Sequence, residues 1–207
     1  MSRWVRPARG NIAVMGPRAE VVRELLDAID SLSLVRIRRF FCHADTVDGF
    51  PLWVGSKWVL ISQTRDGGFF NGMLAVRLKD ITKVRRDATF GTRFAQTQSE
   101  WPPTMPALGE LDTTGGLIKG LSQKWPLISI EQERKHHSPM MWIGIVDELV
   151  DGWLWLREVR PDATWRKHPR GYKLKHITKV VVADQYLTAL SAVAGFPTRC
   201  DHPQSTA

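Results

Sequence analysis

The chain has 207 residues, 43% of them hydrophobic and 24% charged, with a formal net charge of +8 at pH 7. Those fractions are ordinary for a globular protein. No run approaches the roughly 18 apolar residues that a membrane-crossing helix needs, which excludes a helical membrane protein. The N-terminal stretch holds Arg3, Arg6 and Arg9 without a sustained apolar segment, which argues against secretion and leaves organelle transit as the minor alternative. Cys42 and Cys200 stand far apart and form no Cys-x-x-Cys pair, so a reduced, cytoplasmic setting is expected. Residues 1–100 carry a net +6 and residues 101–207 a net +2. Such an excess favours polyanionic partners, though solubility alone also explains it.

Residues 1–16 read as a flexible N-terminus. Pro17 suits a first helical position, and Val21, Val22, Leu25, Leu26, Ile29 and Leu32 recur at spacings of three and four, predicting a helix over 17–32. The pattern then turns to strands at 34–40, 50–54, 58–63, 69–78 and 81–84, with Asp66-Gly67-Gly68 as a turn signal. Phe90 and Phe94, four apart, mark a closing helix within 87–98, so 17–99 is the first expected unit. Pro102, Pro103 and Pro106 break regular structure, Gly109 to Gly116 stays loop-like and Gly116 to Gln123 reads as a short, poor helix weakened by glycine, so 100–124 reads as a linker. The second unit, 125–196, offers strands at 127–130, 141–146 and 153–159, a basic loop at 161–170 and a helix at 184–194. Residues 197–207 read as a tail.

Tyr172-Lys173-Leu174-Lys175-His176-Ile177-Thr178-Lys179-Val180 matches Val76-Arg77-Leu78-Lys79-Asp80-Ile81-Thr82-Lys83-Val84 at an offset of 96. The same offset pairs Phe90 with Tyr186 and Phe94 with Leu190, and Trp58 meets Trp153 at an offset of 95. An internal match of this length predicts two copies of one folded unit.

One helix followed by five short strands is the order of an Sm-like barrel, and the second unit carries the resemblance further. Pro126–Ile130 resembles that family's first strand. Gly144, Asp151 and Leu156 resemble its Gly…Asp…Leu strand pair. Lys175-His176-Ile177-Thr178-Lys179-Val180 is similar to the closing motif of the Hfq-type bacterial RNA chaperones. The ending Asp80-Ile81-Thr82-Lys83-Val84 also resembles that of bacterial proteins with two such units. The resemblance implies a mainly β fold with flanking helices (α+β): two tandem Sm/SH3-like five-stranded barrels, each with a flanking helix. It also implies an RNA pocket lined by Lys and His, and rings made by strand pairing between subunits. Asp80 stands where the second unit has His176, so that pocket pair occurs at most once.

The leading expectation is non-catalytic binding of single-stranded RNA by Lys173, Lys175, His176, Lys179, Arg166, Lys167 and Arg170, with Lys79 and Lys83 as weaker counterparts. Lysine contacts phosphate as a point charge, so such binding would be salt-sensitive and permissive. The bland alternative makes the motif a barrel-closing strand, with Leu174, Ile177 and Val180 inside. Trp153 and Trp155 share one face of a strand and Leu154 and Leu156 the other. Exposed, the indoles would form a stacking platform; packing between the units is the competing expectation. The rival function is a protein-interaction module using an exposed strand edge or the Trp-bearing face. Homo-oligomers through barrel edges are a further expectation. No membrane partner, metal or cofactor is expected, and no enzyme motif is found. His136-His137 and the Cys42-His43 pair nominate no complete metal site.

Overall fold

The computed structural model describes residues 17–41, 44–134 and 140–197. Cys42, His43, His136, His137 and Cys200 fall outside them. Helix α1 (Pro17–Asp30) buries Val21, Leu25 and Ala28 along one stripe and leaves Leu26 exposed. Strands β1 (Val35–Arg39), β2 (Val47–Val54), β3 (Trp58–Arg65) and β4 (Phe69–Arg77) follow. A one-turn 3-10 helix at Leu78–Asp80 leads into β5 (Ile81–Arg86), and a short helix α2 (Gly91–Ala95) comes next. The chain then forms α3 (Thr114–Lys124), β6 (Leu127–Glu131), β7 (Met141–Val150), β8 (Trp153–Glu158) and β9 (Arg170–Lys173). A second 3-10 turn at Leu174–His176, β10 (Lys179–Val182) and α4 (Gln185–Ala194) complete it.

The expectation of two separately closed, Sm/SH3-like barrels is overturned. All ten strands of the described residues lie in one open antiparallel sheet, in the order β5-β1-β2-β3-β4-β10-β6-β7-β8-β9. The decisive junction is β4 with β10, which pairs Met73–Val76 with Val182–Lys179. The second edge of β4 is therefore occupied by a strand from the far end of the chain. β4 does not turn back to close a barrel.

Side-chain alternation shows the same integration. Trp58, Val59, Leu60 and Ile61 are all fully buried, as a central strand covered on both faces requires. Val59 and Ile61 join a core with α1 and α4, through Leu25, Leu187 and Leu190. Trp58 and Leu60 join the opposite core, with α3 and with Ile128, Leu154 and Val180. Each core therefore draws residues from both halves of the chain.

Where a short, poor helix is expected at 116–123, α3 runs from Thr114 to Lys124 and is well anchored. Thr113 accepts a hydrogen bond from the Gly116 N–H at 3.0 Å as an N-cap. Leu117, Ile118 and Leu121 are fully buried. Each such side chain contributes about 1.5–3 kcal/mol on burial, which outweighs a propensity cost of about 1 kcal/mol per glycine.

Gly144 answers a steric demand in β7. A Cβ there would lie 2.2 Å from the Arg157 carbonyl oxygen. Two residues later the β7–β8 register shifts between Val146 and Glu148, a bulge of the kind that bends a strand. The hairpin turn Asp151-Gly152, with φ of 48° and 78°, then returns the chain into β8 with the twist of a type I′ turn.

Candidate functional site

β8 and β9 form the open end of the sheet. Leu154 and Leu156 point into the core and are fully buried. Trp153 and Trp155 therefore take the outer face, with Trp155 39% exposed and Trp153 half-buried. The indoles are not packed between two units. In the register, Trp153 faces Lys173 and Trp155 faces Gly171. Lys173 Nζ sits 4.9 Å from the Trp153 ring centre, a cation–π distance. A Cβ on Gly171 would approach Trp153 and Trp155 to 3.3–3.4 Å. The glycine thus lets both rings lie close across the last strand.

On the other face of β9, Tyr172 packs against Trp142, with ring centres 5.2 Å apart. Its hydroxyl donates to Glu158 Oε1. Glu158 also accepts from Arg166 Nε at 2.8 Å and faces Arg170 Nε at 3.9 Å. Burial, followed by the Glu158 hydrogen bond and charge, pushes the Tyr172 phenol far above its ordinary value. The phenol therefore stays protonated and keeps donating. A cleft of about 620 Å³ wraps this edge, bordered by Trp142, Trp153, Arg170, Tyr172, Lys173 and His176.

The predicted RNA-contacting set does not assemble into a basic edge. Lys179 lies in interior strand β10 and donates to Glu131 Oε1 at 2.8 Å, its side chain 12% exposed. Arg166 and Arg170 share the Glu158 carboxylate. Lys167 is exposed in the loop before β9, and Lys175 is exposed in the second 3-10 turn. Lys79 occupies the first 3-10 turn, and Lys83 lies on β5, at the opposite end of the strand order. Arg170, Lys173, His176 and Trp153 of that set line one cleft, and Arg166 and Arg170 line another. The RNA-binding basic patch expected from the sequence is thereby corrected.

The motif itself turns mostly inward. Ile177 and Val180 are fully buried. Thr178 Oγ1 bonds to the Glu131 carbonyl at 3.1 Å and to Glu133 Oε2 at 2.9 Å. Arg77 donates from Nε to the Ile177 carbonyl at 2.5 Å and from its terminal nitrogen to the Leu174 carbonyl at 2.8 Å. Its guanidinium lies 5.0 Å from the centre of the Trp58 ring. Asp80, fully buried, pairs with Arg134. The Arg77 hydrogen bonds and the Asp80–Arg134 pair cross between the halves of the chain, and sequence reasoning missed them because the partners lie 54 to 100 residues apart.

Among the described residues no group of His, Cys, Asp and Glu could hold a metal ion, and no helix is long and apolar enough to cross a membrane. No protein-family model, curated protein or solved structure matches the chain.

Proposed function

We propose that the protein is a non-catalytic protein-interaction module that takes up an extended segment of a partner along the free edge of β9. The observation that supports this most is the pairing of an open strand edge with a cleft of aromatic rings. Among the described residues β9 pairs with β8 and with no other strand, and an edge strand presents unpaired N–H and C=O groups to an incoming strand. Trp153 and Trp155 stand on one side of that edge, Trp142 and Tyr172 on the other. Trp153 and Trp155 are partly exposed, and tryptophan is among the commonest anchors of protein interfaces. Lys173 and Arg170 add positive charge, so the partner segment carries acidic residues beside an apolar or aromatic one.

Self-association through the two free edges is disfavoured. Lys83 and Arg85 on β5 and Arg170 and Lys173 on β9 give both edges the same sign. A cytoplasmic setting belongs to this proposal and rests on the sparse cysteine content of the sequence alone.

The test is selection of displayed linear peptides on the full chain, with the recovered peptides titrated against Trp153→Ala and Lys173→Glu variants. Trp153→Ala should weaken binding by about 2 kcal/mol, roughly 30-fold. Peptides that bind both variants as well as the wild type would place the interface elsewhere. Selective binding of short RNAs, lost on a Lys175→Ala/His176→Ala exchange, would overturn the reading in favour of nucleic acid.

A further inference from the structure

The opposite end of the sheet carries a different surface. Among the described residues β5 pairs with β1 and with no other strand, and the register sets Arg36 opposite Arg85 and Arg38 opposite Lys83. All four residues are exposed. Like charges directly opposed across a strand pair destabilise it, and here two such rungs follow each other on one face. Neutralisation is sparse. Arg36 holds Asp48 through two hydrogen bonds of 2.8 and 2.7 Å. Among the described residues Arg38, Lys83 and Arg85 hold no ion pair.

Protection of a free edge against aggregation explains lysine or arginine on β5. It does not explain Arg36 and Arg38, because β1 lies inside the sheet, between β5 and β2. An incoming anion accounts for both strands. A groove of about 210 Å³ beside the rungs is lined by five cations, Arg36, Arg38, Lys83, Arg85 and Arg86, against one acid, Asp87, with Ala88 and Thr89, and no aromatic residue lines it. The stacking surface that single-stranded nucleic acid uses is therefore missing there. The free main-chain groups of β5 call for another strand.

We propose that the β5 edge binds an extended acidic polypeptide segment of the form acidic–x–acidic, added as the next strand of the sheet. Two residues of a strand advance about 6.8 Å, and the rungs Arg36/Arg85 and Arg38/Lys83 are two residues apart. Carboxylates on alternate residues of the added strand thus meet successive rungs. This site is separate from the β9 edge and stands on its own observations.

The experiment measures fluorescence anisotropy of a labelled Val-Glu-Val-Glu-Val-Glu-Val peptide, its Gln analogue and an oligonucleotide of equal charge, with the full chain. Wild type is compared with Lys83→Glu, Arg85→Gln and Lys173→Glu, and each variant's melting temperature is recorded. The acidic peptide should bind at least about tenfold more tightly than the Gln analogue. It should lose that margin in Lys83→Glu and Arg85→Gln and keep it in Lys173→Glu. Lys83→Glu turns the Arg38 rung into an opposite-charge pair, so its melting temperature should rise while binding is lost, which separates lost binding from lost folding. The proposal is overturned if the Gln analogue binds equally, if binding survives Lys83→Glu, or if the oligonucleotide binds more tightly than the peptide. A fall in the melting temperature of Lys83→Glu would remove its electrostatic basis.

Discussion

Arg39 Nη1 donates to Glu133 Oε2 at 2.5 Å, and the two side chains are only 1% and 3% exposed. One residue ends β1 and the other follows β6, so this dry ion pair ties the two halves of the chain together. Arg39 Nε and its second terminal nitrogen have no hydrogen-bond partner among the described residues. The pair therefore sits in an incompletely satisfied network, in which removing one member costs far more than replacing both. Arg39→Ala or Glu133→Ala should destabilise by about 3–5 kcal/mol. Arg39→Met with Glu133→Leu should come within about 1–2 kcal/mol of wild type. Urea denaturation of the three variants decides the matter.

Burial raises the Glu133 carboxyl above its ordinary value, and the nearby Glu131 charge adds to that, against the opposing pull of Arg39 and Thr178. Between the unfolded and the raised native value, the native state holds the proton more often. Stability should therefore fall as pH climbs out of the ordinary carboxylate range, and level off above the native value. In Glu133→Gln this falling leg should vanish. Denaturation midpoints taken from about pH 4 to pH 7 report it directly.

Arg77 bridges two carbonyls of the other half, at Leu174 and Ile177. Arg77→Lys offers a point charge that cannot span both acceptors as a planar fork does. Leaving a buried carbonyl unpaired costs about 1–3 kcal/mol, so both Arg77→Lys and Arg77→Ala should destabilise by at least that amount. Equal stability of Arg77→Lys and wild type would show that the fork geometry is unimportant.

The two faces of β8 predict opposite outcomes for neighbouring residues. Leu154→Ala removes a fully buried side chain and should cost about 2–5 kcal/mol. Trp155→Ala, at a position 39% exposed, should stay within about 1 kcal/mol of wild type. Thermal unfolding of the pair checks the assignment of faces.

Local patterns in the sequence were a good guide to the strands and a poor one to their assembly. The run Trp153-Leu154-Trp155-Leu156 announced a strand, and its alternation left two faces whose identity only packing could decide. Trp58–Ile61 is apolar at every position, which is the mark of a central strand, yet local pattern places it only as one short strand of a five-stranded unit. The β4–β10 pairing joins residues about a hundred positions apart, and no local signal encodes such a register. Helix α3 was underrated because Gly115, Gly116 and Gly120 weigh against it in isolation, while the burial of Leu117, Ile118 and Leu121 is a tertiary effect. Of the proposed site, Trp153, Arg170, Lys173 and His176 could be nominated from sequence. Glu131 and Glu158, which neutralise Lys179 and Arg166, could not, because their partners were unknown.

The most direct measurement is hydrogen–deuterium exchange of the full chain, with and without a saturating β9-selected peptide. Strand addition predicts slowed exchange at Arg170–Lys173, with β5 amides at Ile81–Arg86 unchanged. Unchanged exchange at Arg170–Lys173 under saturation, or protection confined to other segments, would contradict the account.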